Sequence, residues 1–348
     1  MNTIPLSIGC YTDSPSSSEG IYQVLFNPDT GILSSLSLIH TERNPSFIAS
    51  TEAGHYVISE VELASNPTLS FIPKPGADKP SCTFKISGDH PCHISLAPSG
   101  KYIITSQYSS GNYDVFSLNI NGTIDSHLST ITQSGSGPNT DRQAGPHAHQ
   151  AVFLKHSPHF ATVDLGSDTV SFYCFDEEQD DILQQPILQL NVPKGNGPRH
   201  LVFNQKETHA YVVCELSETI LVLKKILGKW EVIQEVDALP NEEKGEAAAA
   251  IRLSSDEKFL YVSCRHQSKL SCFSVNPKDK TIQFRSSSST QGKFPRDFYI
   301  TEDDQWIVVA NQHSNNLTSF RRNKETGELT YSGHSICLDA PVCITAMK

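Results

Sequence analysis

Short apolar runs alternate with polar turns along the whole chain. Val, Ile, Tyr and Phe dominate the runs, and clusters of Gly, Pro, Asn, Asp and Ser separate them. Such a pattern predicts β-strands that are joined by tight turns. The segment that comes closest to helical periodicity, 242–251, is too short to sustain it. We therefore expect an all-β fold.

One unit recurs about every 50 residues: a Pro-containing opening, an apolar run, a polar turn and a second apolar run, followed by two more strands. A degenerate copy of the opening, 246–253, lacks the proline; the other openings carry Pro45, Pro91, Pro146, Pro198, Pro295 and Pro341. Seven such units with four antiparallel strands each predict a seven-bladed β-propeller.

The two ends of the chain supply half-units. The last opening has a single strand left, 342–347, whereas the strands 7–12 and 21–26 have no opening before them. We expect the C-terminal strand to join the N-terminal blade and to close the ring, which hides the edges that an open sheet would expose. An array of β-sandwiches would leave both half-units unexplained. We expect a single domain over 1–348.

Propeller topology predicts which side chains meet. The openings, and the loops after the second strands, should converge at one mouth of the central channel, where closed β architectures hold their ligands. The openings contribute His90, His93, His147, His149, Arg199, His200, Arg296 and Asp297. The loops contribute Glu60, Gln107, Tyr108, Asp164, Glu215, Arg265, His266, Asn311, Gln312 and His313.

The composition of the chain limits the classes of molecule that it is expected to bind. The formal charge of −11 argues against nucleic acid and against anionic membrane surfaces. Nine cysteines, an odd number without a CxxC pair, indicate reduced and mostly buried thiols. We find no secretory signal and no apolar stretch of about 18 residues, so we expect a cytoplasmic protein without a membrane partner. The sequence does not specify an oligomeric state.

Several candidate residues allow two interpretations. Three arginines at one mouth of an acidic protein would make a local anion site, although Arg199 and Arg296 could equally brace the fold. Glu215 follows an apolar strand, which favours a desolvated carboxylate with a raised pKa, as a general base requires; it could also simply pair with an arginine. His147 and His149 could be a metal pair, but no third ligand stands at a diagnostic spacing, and we expect no metal.

Several segments resemble one family. They are GPHAHQAVF (145–153), GPRHLVF (197–203), CELSETI (214–220), LYVSCRHQSKLSCFSV (260–275), FPRDFYI (294–300) and ANQHSNNLTSFRRNKETGEL (310–329). Together they resemble the lactonase family of seven-bladed propellers, over nearly the whole chain. That family is typified by the bacterial propeller-type 6-phosphogluconolactonase and also contains the fungal 3-carboxy-cis,cis-muconate lactonising enzyme.

The resemblance implies an enzyme with its catalytic residues at His149, Arg199, Glu215 and Arg265. The substrate would be a small anionic lactone, bound by His93, His147, His200, Arg296 and Gln312, and no metal or organic cofactor would be needed. Hydrolysis of 6-phosphogluconolactone to 6-phosphogluconate, in carbohydrate metabolism and the pentose phosphate pathway, is the leading expectation. The alternatives are muconate-type lactonisation (an intramolecular lyase), hydrolysis of another sugar lactone, and a non-catalytic propeller that serves as an interaction scaffold.

Overall fold

The structure, a computed structural model, describes residues 3–74, 76–77, 80–176, 181–182 and 185–347. These residues form twenty-nine β-strands and one 3₁₀ turn, Leu63–Ser65, in seven sheets. They divide into two compact units. Unit 1 comprises the described residues up to Pro45 together with His200–Met347, and unit 2 comprises Ser46–Arg199. Each boundary falls within the first residues of a strand. Among the described residues no helix is long and apolar enough to cross a membrane.

Unit 2 holds three sheets. They comprise β4 (Pro45–Ser50), β5 (Gly54–Ser59), β6 (Thr68–Pro73) and β7 (Cys82–Lys85); β8 (Pro91–Leu96), β9 (Tyr102–Gln107), β10 (Asn112–Leu118) and β11 (Ile124–Thr132); and β12 (Ala148–Phe153), β13 (His159–Asp164), β14 (Thr169–Asp176), β15 (Asp181–Ile182) and β16 (Leu188–Asn191). Strands neighbour one another in chain order, except that β15 and β16 both pair with β14.

Unit 1 holds four sheets. They comprise β1 (Ile4–Cys10), β2 (Gly20–Phe26), β3 (Leu33–Thr41) and β29 (Pro341–Ala346); β17 (Pro198–Phe203), β18 (His209–Cys214), β19 (Thr219–Ile226) and β20 (Lys229–Asp237); β21 (Ala248–Leu253), β22 (Phe259–Cys264), β23 (Lys269–Val275) and β24 (Ile282–Ser289); and β25 (Pro295–Ile300), β26 (Trp306–Asn311), β27 (Asn316–Arg322) and β28 (Leu329–Cys337).

These seven sheets are the blades of the predicted seven-bladed β-propeller, and the prediction is confirmed. Each repeated opening becomes the first strand of a blade, including the proline-free copy, which forms β21. The closure is also as predicted, because β29 pairs antiparallel with β1 and places Ser7 opposite Thr345 and Ile8 opposite Ile344. The blade of β12 departs from the four-strand rule, since it has a fifth, two-residue strand.

Burial follows the strand position within a blade. The second strands β5, β9, β18, β22 and β26 are buried at every residue, whereas outer strands such as β20 and β28 alternate between exposed and covered side chains. A second strand has neighbours on both edges and both faces, so its near-continuous apolar sequence is what that position requires. Cys214 and Cys264, which end β18 and β22, are fully buried, as free thiols.

Most opening strands contain a β-bulge at their second residue. The pairing of β8 with β9 skips Cys92, that of β12 with β13 skips His149, and that of β25 with β26 skips Arg296. Register shifts also occur near the starts of β21 and β29. A bulge bends the strand and re-aims one side chain, and bulges are common beside active sites. Arg199 holds the equivalent position in β17, where it is the second residue of the strand and directly follows Pro198.

Candidate functional site

The residue that directly follows the second strand is a repeated position. It is occupied by Tyr108, Leu165, Glu215, Arg265 and Gln312 after β9, β13, β18, β22 and β26. Its backbone N–H often donates to the carbonyl just before the opening strand of the same blade, as from Tyr108 to His90 (3.0 Å) and from Gln312 to Phe294 (3.0 Å). The backbone thus fixes this position in several blades, and the side chain there is free to differ in chemistry.

Glu215 and Arg265 occupy this position in successive blades of unit 1 and form a buried ion pair. Nη2 of Arg265 lies 2.9 Å from Oε2 of Glu215, and both side chains are less than one-tenth exposed. Nε of Arg265 donates to the carbonyl of Ala247 at 2.9 Å, which fixes the plane of the guanidinium. Of the two interpretations that the sequence allows for Glu215, the arginine partner is therefore present in the folded protein.

A second guanidinium, that of Arg296, and the ring of His313 accompany Arg265 in unit 1. The ring of Phe294 lies under the guanidinium of Arg265, 5.1 Å from its central carbon, and stacks on the ring of His313 with a centroid separation of 3.9 Å and an interplanar angle of 12°. Arg296, the bulge residue of β25, lies 5.0 Å above the ring of Tyr11. Aromatic faces attract guanidinium groups and hold their planes in fixed orientations.

The charges of this group act on His313. Partial burial lowers the pKa of His313, and the positive charges of Arg265 and Arg296 lower it further. These effects favour the neutral form of the His313 imidazole. Its ring is exposed to solvent apart from the face that Phe294 covers.

In unit 2, His149 lies in a cluster of rings and a thiol. Its Nδ1 is 3.7 Å from Sγ of Cys92, and the ring of Tyr108 meets it edge to face with centroids 5.5 Å apart. Tyr108 also stacks on His147 at 4.5 Å and accepts a hydrogen bond from Arg142 at 3.3 Å. His149 is 5% exposed, so these contacts fix its orientation.

The backbone before β12 is held by a buried carboxylate. Asp164 accepts hydrogen bonds from the N–H groups of His147 (2.9 Å) and Ser167 (3.0 Å). Burial raises the pKa of Asp164, although these donors oppose the shift. Because β12 begins at Ala148, His147 lies outside the strand and Nδ1 of its ring contacts the carbonyl of Tyr108 at 2.9 Å.

The remaining predicted site residues lie at comparable places in their blades. His93 is buried; its ring packs on Phe47 at 4.2 Å, and its Nε2 is 3.3 Å from Nε2 of Gln150. Arg199 and His200 are the second and third residues of β17, and Arg199 is 3% exposed. Gln312 is half-buried after β26. Within the described ranges no group of three His, Cys, Asp or Glu side chains is placed to hold a metal ion.

Each unit thus brings together part of the predicted set. Unit 1 joins Glu215 with Arg265, and unit 2 places His149 beside Tyr108, a residue of the same repeated position. That His149 and Arg199 act with Glu215 and Arg265 on one substrate stays a prediction.

Sequence reasoning assigned no role to Phe294, Tyr11 or Cys92. The sequence does distinguish Phe294: it precedes the proline of its opening, where the other proline-containing openings have Asn44, His90, Gly145, Gly197 and Ala340. A large aromatic residue is unusual in that series. The contacts of Tyr11 and Cys92, by contrast, depend on strands that are distant in sequence, so only the folded chain reveals them.

Comparison with known proteins agrees with this architecture. The family model "Lactonase, 7-bladed beta-propeller" matches residues 5–346. The 6-phosphogluconolactonase of Bacillus subtilis strain 168 is 31% identical over 97% of this chain and 96% of its own length, and that of Formosa agariphila is 30% identical over 92% and 93%. The structure of a periplasmic gluconolactonase from Pseudomonas aeruginosa is 25% identical, with a TM-score of 0.89 over 100% of this chain and 99% of that one. The chain therefore belongs to the lactonase family of seven-bladed β-propellers.

Proposed function

We propose that the protein is a lactone hydrolase that opens 6-phosphogluconolactone to 6-phosphogluconate. The observation that carries the proposal is the buried pair of Glu215 and Arg265, which joins a potential base to a potential oxyanion donor. A buried ion pair contributes little net stability, because desolvation offsets the attraction of the charges. Its presence at a repeated loop position, rather than in the apolar core, favours a role in chemistry.

Hydrolysis of the lactone needs a general base and a positively charged hydrogen-bond donor. Glu215 would take a proton from a water molecule, whose oxygen attacks the lactone carbonyl carbon. Arg265 and Arg199 would stabilise the oxyanion of the tetrahedral intermediate. The ring C–O bond then breaks, and the released alkoxide takes a proton to give the hydroxy acid. His149 is the second candidate for the proton transfers.

The geometry of Arg265 suits this role. Its Nε is committed to the carbonyl of Ala247 and one N–H of Nη2 to Glu215, and its Nη1 makes no hydrogen bond to the part of the chain that the structure describes. Nη1 can therefore donate to a substrate oxygen without breaking the ion pair. His93, His147, His200, Arg296 and Gln312 remain our candidates for binding the rest of the substrate.

A coupled assay tests the proposal. Glucose-6-phosphate dehydrogenase generates the lactone, and 6-phosphogluconate dehydrogenase reports its opening as additional NADPH. We expect the wild-type protein to raise the rate above spontaneous opening, and Glu215→Gln to lower kcat by roughly 10²–10⁴-fold, because an amide cannot accept the proton of water. Glu231→Gln is the matched control, since Glu231 is exposed on the outer strand β20 of the same blade.

A wild-type rate equal to the spontaneous rate would refute 6-phosphogluconolactone as substrate. Glucono-1,5-lactone should then be assayed by acid release, because a gluconolactonase is among the similar structures. Activity on that lactone alone would retain lactone hydrolysis and reject the phosphorylated substrate. If Glu215→Gln kept the wild-type rate, Glu215 would not be the base.

A further inference from the structure

Cys92 and His149 contact each other from neighbouring blades. They are the second residues of β8 and β12, and the pairing with the next strand skips each of them. Sγ of Cys92 lies 3.7 Å from Nδ1 of His149, and both residues are buried. Because water is largely excluded, a hydrogen bond between the thiol and the imidazole is stronger here than in solvent. The bulge residue of one blade thus contacts the bulge residue of the next.

The same sulfur lies near two carbonyl oxygens of β12. Sγ is 3.6 Å from the oxygen of Ala148 and 3.5 Å from that of His149. A thiol has one proton, so two arrangements compete. In the first, the thiol donates to Nδ1 of His149, and the neutral ring carries its proton on Nε2. In the second, the thiol donates to a carbonyl, the ring carries its proton on Nδ1, and sulfur accepts a hydrogen bond from it.

The strength of the acceptors decides between the two arrangements. Sulfur is a weak acceptor, and a buried N–H group needs a good acceptor more strictly than a carbonyl oxygen needs a donor. The second arrangement directs the buried N–H of His149 at sulfur, whereas the first gives the thiol proton to the basic imidazole nitrogen. The first arrangement is therefore favoured. Any further partner of His149 at Nε2 then has to accept a hydrogen bond.

Tyr108 restrains the same imidazole ring. It directly follows β9 and so belongs to the blade of Cys92. Its ring meets that of His149 edge to face, at an angle of 75°. Tyr108 is itself held, because it stacks on His147 and its hydroxyl accepts a hydrogen bond from Arg142. One blade therefore contacts His149 through two residues, and a ring flip that exchanged the places of the two nitrogens would break the contact with Cys92.

We infer that Cys92 fixes His149 in the tautomer whose proton is on Nε2, and that His149 acts on the lactone as a hydrogen-bond donor from that atom. This inference rests on the proposed function, in which Glu215 takes the proton of water. It assigns His149 to a lactone oxygen, because a neutral imidazole with its proton on Nε2 can polarise a carbonyl but cannot accept a proton there. Cys92 is a positioning residue, since it acts only through His149.

Nuclear magnetic resonance tests the tautomer directly. Long-range ¹H–¹⁵N correlation spectra of protein labelled with ¹⁵N-histidine show which ring nitrogen carries a proton, and the signals of His149 are identified by their loss in His149→Gln. We expect the wild-type proton on Nε2. In Cys92→Ala the ratio of the two tautomers should fall about fivefold, the effect of one hydrogen bond of ordinary strength. Cys272→Ala is the matched control, because it removes a buried thiol of β23 in unit 1 and should leave these signals unchanged.

A wild-type proton on Nδ1, or protons on both nitrogens, would overturn the proposal. An unchanged ratio of the tautomers in Cys92→Ala would also overturn it. Cys92→Val removes the thiol proton but keeps the volume of the side chain, so it replaces the alanine variant if that variant does not fold.

His149→Gln separates a hydrogen-bond donor from a group that carries protons. The amide of glutamine keeps an N–H donor at about the reach of Nε2, but it does not titrate. We expect kcat of His149→Gln to stay within about tenfold of wild type, and that of His149→Ala to fall by roughly 10²–10³-fold, as for the loss of an oxyanion donor. Equal losses in the two variants would refute the donor role.

The double variant tests whether Cys92 acts through His149. Cys92→Ala should lower kcat by about two- to fivefold in the wild-type background, in step with the loss of the Nε2 tautomer. In the His149→Gln background it should leave kcat unchanged, because an amide has no tautomer to fix. Equal losses in both backgrounds would show a purely structural role for Cys92 and overturn the inference.

Spectra and kinetics together separate this inference from the proposed function. A protein that opens 6-phosphogluconolactone, but whose His149 tautomer does not depend on Cys92, would retain the function and refute the inference. A protein without lactonase activity, whose His149 still holds its proton on Nε2 through Cys92, would refute the function and retain the assignment of the tautomer.

Discussion

The side chains of Glu215 and Arg265 form an ion pair that is almost fully buried. Such a pair contributes little to the free energy of unfolding when both partners are present, because the cost of desolvation offsets the attraction of the charges. Removal of one partner, however, leaves a buried charge without compensation. The pair therefore does not explain the stability of the fold, yet the fold depends on its being complete. The loss of one partner should therefore lower the stability more than the loss of both, and this difference can be measured.

Single and double substitutions test the energetic coupling between Glu215 and Arg265. Glu215→Ala and Arg265→Ala should each lower the free energy of unfolding by about 3–5 kcal/mol, because each leaves the opposite charge buried. The double variant should lose no more than either single variant, because neither charge is then left buried without its partner. Urea unfolding of the four proteins measures this coupling. Additive losses would mean that the two charges do not interact in solution.

At the scale of elements, the loops after the second strands hold the next opening in place. Asp168, in the loop between β13 and β14, has φ 55° and accepts hydrogen bonds from Gly195 N–H (2.7 Å), Gly197 N–H (2.8 Å) and Nε2 of Gln143 (2.8 Å). Asp tolerates the left-handed conformation better than most residues. In unit 1, Glu218 plays the same part and accepts from Ala247 N–H at 3.0 Å.

Asp168→Ala should therefore damage both stability and activity. Three donors, two of them buried, lose their acceptor, at a cost of about 3 kcal/mol, and the loop that leads into Pro198 and Arg199 loses its anchor. We expect a lower unfolding midpoint and a reduced kcat in protein that is still folded. Asp168→Asn keeps one acceptor oxygen and should lose less of both. Wild-type kcat in folded Asp168→Ala would show that this anchor does not position Arg199.

For the whole molecule, buried neutral histidines make stability depend on pH. His55 is 3% exposed, and its Nδ1 lies 2.9 Å from Oγ of Ser50. Burial, with a smaller effect of the Lys74 charge, lowers the pKa of His55 to about 4. In the unfolded chain the same group titrates near about 6.5. The two states thus bind different numbers of protons only between these values.

The direction of the pH dependence of stability follows from the difference between the folded and unfolded pKa values of His55. Between about pH 6.5 and pH 4 the unfolded chain binds a proton that the folded protein refuses, so stability falls as the pH falls, by at most roughly 3 kcal/mol from this group. His55→Asn keeps a polar atom for Ser50 and removes the titration. Its unfolding free energy should therefore fall less steeply than that of wild type over this window. Parallel curves for the two proteins would refute the assignment to His55.

Much of the fold and part of the site could be predicted from the sequence. The spacing of the openings specified seven blades, and the unpaired half-units at the two ends specified that β29 completes the blade of β1. These features survive in sequence because strand pairing and burial impose a repeated pattern of apolar residues and turns. The repeat also predicted that Glu215 and Arg265 stand at ends of second strands, since each directly follows an apolar run.

Only the tertiary structure decided what those side chains contact. It paired Glu215 with Arg265, which follow β18 and β22 in different blades, and it placed the ring of Phe294 against both Arg265 and His313. It also showed that the pairing register shifts at His149 and Arg296, which simple strand alternation does not foresee. Periodicity records which face of a strand is buried, whereas contacts between blades depend on backbone geometry that leaves no local pattern in the sequence.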